Sequence, residues 1–217
     1  MKTIIEEKYS GMSYCQVCHK SFISDDPKAI NNHKKIHKIF LNGIIANELI
    51  SDEVIFDDGN FRIIVILPES VMNQRNRAER IARRVHSGTH YDQLSFYAVP
   101  IDRKTIQFSF IGVVKQHAIS FLVMREITKS IKIIWDEHSL DNPFSKEIQA
   151  NHEKRWCLDM IWTLNKYRGH GYAKLTIEQA LKYLCKPIYE MAWLQPFTEN
   201  GKLLAKSMSP NEIFIPD

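Results

Sequence analysis

The sequence predicts an α/β (α+β) protein in which a mixed, mainly antiparallel sheet is flanked by helices and follows a small ββα module. Three observations support this fold class. Two cysteines and two histidines cluster near the N-terminus, several short apolar runs alternate with turn residues, and a strand–turn–helix pattern lies near residue 170. The sequence contains no internal repeat and no low-complexity segment.

The composition is that of a globular protein, with 44% hydrophobic and 25% charged residues in a chain of 217. No run approaches the roughly 18 apolar residues of a membrane-spanning helix. The first residues include Glu6 and Glu7 and have no long apolar core, so we expect no secretory signal. The net charge of +4 permits an acidic partner without requiring one.

The clustered cysteines and histidines have the spacing Cys-x2-Cys, fourteen residues, His-x3-His: Cys15, Cys18, His33 and His37. Four nitrogen and sulfur ligands at this spacing suit a tetrahedral Zn²⁺. Phe22 and Ile30 would supply a small core, and Asp26-Pro27 predicts the start of a helix. We therefore expect a Cys2His2 zinc finger at 13–38, after a polar lead at 1–12.

A single finger is a poor reader of DNA sequence, since one finger contacts about three base pairs. The positions that would face the bases are Asp26, Ala29 and Asn32, and they include no arginine for guanine. Lysines of the finger could contact phosphates, although a solvated basic face is at least as plausible. We expect a structural or protein-docking finger, with at most weak nucleic-acid contact through this basic surface.

The middle of the chain predicts a meander of strands and one helix. Asp58-Gly59 is a strong hairpin signal between two apolar runs. The predicted strands, in order, are 54–56, 61–67, 94–99, 105–114, 118–127 and 131–135. Residues 71–86 predict a helix rich in arginine, either a surface for an anionic partner or, as we favour, a solvated helix face. Residues 136–152 predict a loop or short helix.

The stretch 156–184 predicts a buried strand, a glycine-rich turn at 168–171, and a helix that Pro187 ends. Backbone N–H groups and the positive end of the dipole at such a helix start form a site for a phosphate or diphosphate. After this helix we expect a strand at 188–193, a loop at 194–201, a short helix at 202–207 and a last strand at 212–215. The whole of 39–217 is predicted as one domain.

The turn carries Arg-x-x-Gly-x-Ala at 168–173, which resembles the Gln/Arg-x-x-Gly-x-Gly/Ala motif of the GNAT superfamily of N-acetyltransferases. With the finger, the chain resembles the sister-chromatid cohesion (establishment-of-cohesion) N-acetyltransferase family. Two blocks carry this resemblance. The first is 14–45, which includes HKIFLNGI. The second is 157–215, which includes IW, RGHGYA and MAWLQPFTENGKLLAKS.

The resemblance implies a GNAT-like fold and an acetyl-CoA-dependent enzyme that acetylates a protein lysine by direct transfer to the deprotonated amine. The protein partner would be a cohesin-like subunit, and the location nuclear, if the host is eukaryotic; otherwise we expect the cytoplasm. By position, the residues implied to bind acetyl-CoA are Ile161, Trp162, Thr163, Arg168, Gly169, His170, Gly171, Tyr172, Ala173, Phe197 and Thr198.

The sequence offers two candidates for the catalytic base, because this chain departs from the family at two positions. The family has an acid before the proline of the loop near residue 196 and a serine before the Ile-Trp strand. Gln195, which cannot accept a proton, and Asp159 occupy these places. Since the amine must lose a proton before it attacks, we predict Asp159 or Glu199 as the base. A main-chain N–H of the central strand would bind the oxyanion.

Two other functions remain open at this point. One is acetylation of a small amine. The other is a zinc-dependent protein- or nucleic-acid-binding module whose GNAT-like domain is catalytically silent. Gln195 favours the silent domain, whereas the intact turn at 168–173 favours a working acetyltransferase.

Overall fold

A small three-stranded sheet and one helix open the fold. The computed structural model describes residues 5–9, 11–86, 94–100, 105–135, 144–145, 150–151, 153–195 and 197–217. The opening strands form an antiparallel sheet in sequence order, β1 (Ile5–Tyr9), β2 (Met12–Cys15) and β3 (Lys20–Ile23), which α1 (Pro27–Asn42) follows. The Asp26 side chain accepts a 2.8 Å hydrogen bond from Lys28 N at the start of α1. This confirms the predicted helix start.

The remaining strands form one large sheet. They are β4 (Ile44–Ile45), β5 (Glu53–Asp57), β6 (Arg62–Ile66), β7 (Gln107–Val114), β8 (His117–Ile127), β9 (Ser130–Trp135), β10 (Phe144–Ser145), β11 (Ala150–Asn151), β12 (Arg155–Thr163), β13 (Ala192–Trp193) and β14 (Glu212–Pro216). The main order is β10-β9-β14-β13-β12-β8-β7-β6-β5. The pairs β12–β13 and β13–β14 are parallel, and the other neighbouring strands of this order are antiparallel. The mixed, mainly antiparallel sheet is therefore confirmed.

Helices cover both faces of this sheet. The α2 helix (Met72–His86) packs Ala78, Ile81 and Val85 on the face that carries Ile64. The helices α3 (Tyr172–Tyr183) and α4 (Glu199–Met208) pack on the opposite face, which carries Ile63. Successive residues of β6 thus point into different cores, as the period of two in a strand requires. No helix of the described residues has the length and apolar character needed to span a membrane.

Two predicted strands are wrong in whole or in part. Residues 94–99 form no strand, because side chains of α2 take the hydrogen bonds that a neighbouring strand would supply. The Ala98 N–H donates to Glu79 Oε2 at 2.7 Å, and Arg75 Nη1 donates to the Ala98 carbonyl at 2.9 Å. In the stretch 188–193, only β13 is a strand, since a 3-10 turn at Ile188–Glu190 follows the helix break. The predicted loop at 136–152 lies outside the described residues except for β10 and β11.

The finger helix runs directly into the large sheet. Gly43 ends α1 with φ +93°, and β4 then pairs with β8 through Ile44 opposite Ala118. A Cβ on Gly43 would lie 2.6 Å from the Ala118 carbonyl oxygen, so only glycine allows this close approach. Ile39 of α1 also packs against the core beneath α2. The contact explains why the chain has no linker composition between finger and sheet.

Part of the arginine-rich face of α2 is buried, whereas both interpretations of its sequence, a surface for an anionic partner and a solvated face, place the arginines in solvent. The Arg77 and Asp52 side chains are only 4% and 2% exposed and form a bidentate ion pair, with Arg77 Nη1 at 2.8 Å from Asp52 Oδ2. The Arg75 side chain donates its hydrogen bond to the Ala98 carbonyl. Arg80 and Arg83 remain on the exposed side of the helix. The helix therefore contributes two of its arginines to folding rather than to a surface for anions.

Candidate functional site

The four predicted metal ligands converge in the finger. Their ligand atoms all lie within 4.8 Å of one another, and three of the four residues are buried. Cys15 Sγ lies 3.4 Å from His37 Nδ1, and Cys18 Sγ lies 3.3 Å from His33 Nε2. Tetrahedral ligands of Zn²⁺, with Zn–S about 2.3 Å and Zn–N about 2.0 Å, are separated by roughly 3.5 Å. The arrangement therefore fits a structural zinc ion.

The surroundings of these ligands suit a thiolate site. Burial acts to raise the pKa of Cys15, but backbone N–H groups of Cys18 and Val17 outweigh it, so the pKa lies below its ordinary value. The Phe22 ring stacks on His33 with centroids 4.0 Å apart, which holds the imidazole in place. In contrast, burial raises the pKa of Cys157, which keeps that thiol protonated in a small apolar cluster with Ile127, Ala192 and Phe214.

A cleft opens where two parallel strands of the sheet separate. The strands β12 and β13 pair through Cys157 opposite Ala192 and Leu158 opposite Trp193, and the last bond runs from Leu194 N to the Leu158 carbonyl at 3.0 Å. Beyond this point β12 has an irregular register against β8. The cleft has a volume of about 420 Å³ and is lined by Met160, Ile161, Trp162, Thr163, Tyr167, Arg168, Gly169, Gly171, Tyr172, Ala173, Lys174, Thr198, Asn200, Gly201 and Leu204.

All but two of the residues predicted to bind acetyl-CoA line this cleft. The exceptions are His170 and Phe197. His170 Nδ1 lies 2.8 Å from the Arg168 carbonyl, which holds its ring within the turn. The Phe197 ring packs instead between Trp193 and Trp135, at centroid distances of 6.3 and 6.5 Å. Its apolar side chain is drawn into the core beside α4, while the next residue, Thr198, reaches the cleft.

The glycine turn presents backbone donors at the end of the cleft. Gly169 and Gly171 have φ of +76° and +83°, a conformation that favours glycine. Gly171 is the N-cap of α3, so the first N–H groups of that helix have no intrahelical acceptor. The Arg168 Nε donates to the Thr163 carbonyl at 3.0 Å. Arg168 thus fastens the turn to the end of β12.

Thr163 belongs to the cleft wall, but its hydroxyl group does not face the open space of the cleft. The residue is 8% exposed, and its Oγ1 is shielded from solvent without a hydrogen-bond partner among the described residues. The cleft itself offers free backbone donors and apolar walls, which suits a long polar ligand with a diphosphate.

The two candidate bases have different surroundings. Asp159 Oδ1 accepts a 2.8 Å hydrogen bond from Arg125 Nε, and burial raises the pKa of Asp159 while the guanidinium partly offsets this effect. Asp159 does not line the cleft, although its neighbour Met160 does. Glu199 is exposed at the first position of α4, between Thr198 and Asn200 of the cleft wall.

Several cleft residues were not predicted from the sequence. They are Met160, Tyr167, Lys174, Asn200, Gly201 and Leu204. Tyr167 and Lys174 directly flank the six-residue motif, so extending it by one position would have found them. The Tyr167 ring meets Tyr172 edge-on at 5.5 Å, and Tyr172 meets the buried Phe61 at 4.8 Å. The contact between Tyr172 and Phe61 joins residues far apart in the sequence, so no local sequence pattern could predict it.

A mixed sheet with two separating parallel strands, and a glycine turn feeding a helix beside them, define the class as a GNAT-like α/β domain with an N-terminal Cys2His2 site. No family model matches the chain. The chain is 23% identical over 226 residues to N-acetyltransferase ESCO2 of Danio rerio, and this match covers 96% of the chain. It covers 36% of that relative, so the chain spans about a third of its length.

Two solved structures share the fold. The xEco2 acetyltransferase domain superposes with a TM-score of 0.63 at 16% identity, over 78% of this chain and 98% of that one. The same domain bound to a CoA conjugate gives a TM-score of 0.62 at 18% identity, over 76% and 97% of the two chains. These two matches confirm the predicted GNAT-like fold, and the likeness to N-acetyltransferase ESCO2 agrees with the resemblance described from the sequence.

Proposed function

We propose that the protein is an acetyl-CoA-dependent N-acetyltransferase that transfers the acetyl group directly to a deprotonated lysine of another protein. The observation that carries this proposal is the cleft between β12 and the loop before α4, which ends on the glycine turn. The likeness to N-acetyltransferase ESCO2 and to a domain solved with a CoA conjugate supports the same reaction.

Each part of the cleft has a chemical task in this reaction. The N–H groups at the start of α3 hold the diphosphate, because the helix dipole favours negative charge there. A backbone N–H of β12 stabilises the oxyanion that forms when the amine attacks the thioester. Cys15, Cys18, His33 and His37 would hold a zinc ion that keeps the finger folded.

Titration calorimetry with CoA tests the cofactor site directly. We expect saturable heat with the zinc-loaded protein. A second assay with radiolabelled acetyl-CoA and candidate acceptors then reports transfer, and label in a protein lysine is expected. Label only in small amines would favour a small-amine acetyltransferase, and CoA binding without any transfer would favour the silent domain. A folded protein that gives no heat with CoA contradicts the proposal.

We propose Glu199 rather than Asp159 as the base that accepts the amine proton. Two observations support this choice. Glu199 is exposed and lies between two residues of the cleft wall. The Asp159 carboxylate is instead bound to Arg125, so its lone pairs already have a partner. A raised pKa would suit a base, and neither carboxylate lines the cleft, so the choice rests on the ion pair that already engages Asp159 and on the exposure of Glu199.

Substituting each acid separately distinguishes the two. Glu199→Gln is expected to lower the turnover number by about 10²–10⁴-fold, the usual contribution of a general base. Asp159→Asn is expected to keep its turnover, while a changed melting temperature reports the lost ion pair with Arg125. Loss of turnover in Asp159→Asn alone would transfer the role to Asp159. Unchanged turnover in both variants would show that neither Glu199 nor Asp159 is the general base.

The acceptor and the location follow from the same likeness. We propose a cohesin-like subunit as the protein substrate and the nucleus as the location in a eukaryotic host, since the sequence blocks 14–45 and 157–215 resemble the cohesion acetyltransferase family. Mass spectrometry of a candidate subunit after reaction with acetyl-CoA locates the acetylated lysine. Acetylation spread evenly over unrelated proteins would contradict this specificity.

Weak nucleic-acid contact is proposed for the finger helix. Its exposed basic residues are Lys28, Lys34, Lys35 and Lys38. Such contacts bind phosphates without reading sequence, and each one adds about one to the salt slope of affinity. The double variant Lys34→Gln, Lys35→Gln should therefore bind duplex DNA with a shallower salt dependence. Binding that does not vary with salt would contradict a phosphate contact.

A further inference from the structure

The glycine turn has little packing of its own to fix its position. At Gly169 and Gly171 an added Cβ would meet no atom within 4 Å beyond its chain neighbours, so open space surrounds the backbone there. Glycine also gives up more conformational freedom than other residues when it is ordered. The position of the turn is therefore set where it joins the rest of the fold, at Leu164 before it and at Tyr172 after it.

Both ends of the turn are fastened to adjacent residues of β8. On the incoming side, Leu164 N donates to the Ile119 carbonyl at 2.8 Å. On the outgoing side, Ser120 Oγ lies 3.0 Å from Thr176 Oγ1, one helical turn into α3. The Thr176 hydroxyl also donates to the Tyr172 carbonyl at 2.7 Å. Strand β8 therefore holds the end of β12 and the start of α3 side by side.

The hydrogens of the two hydroxyl groups define a directed chain. Each hydroxyl has one hydrogen, and the hydrogen of Thr176 is used for the Tyr172 carbonyl. The Ser120 hydroxyl is then the donor in the bond between the two side chains. The chain runs from Ser120 through Thr176 to the first carbonyl of α3, and each bond polarises the next.

Stability alone does not account for this pair of hydroxyl groups. Ser120 and Thr176 are both 0% exposed. A threonine that bonds back to the carbonyl four residues earlier slightly destabilises its helix. Replacing both partners of a buried hydrogen bond by apolar groups of the same shape can be nearly neutral. What the pair supplies is geometry, because a fully satisfied buried network holds its members in one arrangement.

A missing side chain on β7 supports the same arrangement. Gly112 lies opposite Ser120, and a Cβ on Gly112 would lie 2.5 Å from the Phe61 ring and 2.8 Å from Ser120 Cβ. The Phe61 ring occupies this space and meets Tyr172 edge-on at 4.8 Å. The start of α3 is thus held twice, by a ring contact at Tyr172 and by the hydroxyl chain at Thr176.

We propose that Ser120 and Thr176 are positioning residues for CoA, an inference that rests on the proposed function. Their hydrogen-bonded chain holds the first turn of α3 where its N–H groups can bind the diphosphate. Neither side chain touches the cofactor, since neither lines the cleft. Binding groups of this kind work when the residues behind them hold them to within about 0.5 Å. Loss of the chain should therefore weaken cofactor binding and leave the transfer step unchanged.

Thr176→Val tests the role, because it removes the hydroxyl and keeps the shape of the side chain. We expect calorimetry to show a Kd for CoA that is raised about three- to tenfold, the range that one hydrogen bond spans. The KM for acetyl-CoA should rise with it, while kcat at saturating acetyl-CoA stays at the wild-type value. Thr176→Ser retains the hydroxyl and should bind CoA nearly as the wild type does.

Ser120→Ala removes the other end of the chain and should raise the Kd in the same way. Because the two residues act through one chain, the double variant Ser120→Ala, Thr176→Val should bind CoA no more weakly than the weaker single variant. Ser109→Ala is the matched control. Ser109 is also a fully buried serine of the sheet, and its hydroxyl has no hydrogen-bond partner among the described residues. This variant should keep the wild-type affinity, whatever its melting temperature.

Three outcomes would overturn the role. Thr176→Val could melt at a lower temperature and still bind CoA as the wild type does, which would make the pair structural only. Thr176→Ser could bind as weakly as Thr176→Val, which would assign the effect to side-chain shape rather than to the hydroxyl. Ser109→Ala could lose as much affinity, which would show a general response of the sheet. Failure of the proposed function is read separately, because it appears as absent CoA heat in the wild-type protein and would remove this role with it.

Discussion

Cys18→Ser is expected to release the zinc ion and unfold the finger while the large domain stays folded. Structural zinc contributes an apparent binding free energy of about 10–16 kcal/mol in finger peptides, and such peptides are unfolded without metal. The finger has no large apolar core, since its buried residues within 11–42 are Ser13 and three of the four ligands, with the Phe22 ring stacked on His33. Metal analysis and hydrogen exchange over residues 11–42 measure both effects.

The large domain should survive because its cores lie elsewhere. The core beneath the cleft contains Tyr167, Tyr172 and Leu204 and no residue of the finger, and the core beneath α2 receives only Ile39 from α1. CoA affinity is therefore expected to persist in the variant.

Cys185→Ser is the matched control, because Cys185 is an exposed free thiol outside the metal cluster. It should retain the metal. Zinc retained at full stoichiometry by Cys18→Ser would contradict the assigned ligand set.

The features that the sequence predicts well are those set by neighbouring residues. The Asp58-Gly59 turn appears where expected, with Gly59 at φ +86° between β5 and β6. The metal ligands could be predicted because their spacing alone places them on a hairpin and one helix. The glycine turn before α3 could be predicted because positive φ values require glycine at fixed positions.

The features that sequence reasoning missed depend on partners far apart in the chain. Asp52 meets Arg77 across 25 positions, and Asp159 meets Arg125 across 34. The identity of a charged residue does not indicate whether its side chain is solvated or buried in an ion pair. Neither of these ion pairs could therefore be predicted from the neighbouring sequence. The strand predicted for the apolar run at 94–99 was wrong for the same reason. Its burial was visible, but its hydrogen bonds to α2 rather than to a strand were not.

Gly171→Val is expected to abolish tight CoA binding without unfolding the protein. Gly171 has φ +83°, where a β-branched residue is strongly disfavoured, so the backbone must shift at the point where α3 begins. Shifting the turn displaces the N–H donors that we assign to the diphosphate. Losing two hydrogen bonds to a charged group costs about 3 kcal/mol or more, which is roughly a hundredfold or more in Kd. Calorimetry with CoA measures the loss.

Gly59→Val separates this effect from backbone strain. Gly59 has nearly the same φ, +86°, and at both glycines an added Cβ would meet no atom within 4 Å. The two variants should therefore lose similar amounts of stability, about 1–2 kcal/mol for a left-handed residue that is not glycine. Only Gly171→Val should lose CoA, because Gly59 lies in the β5–β6 turn and outside the cleft lining. Equal CoA affinity in the two variants would mean that the turn at 168–173 does not hold the cofactor.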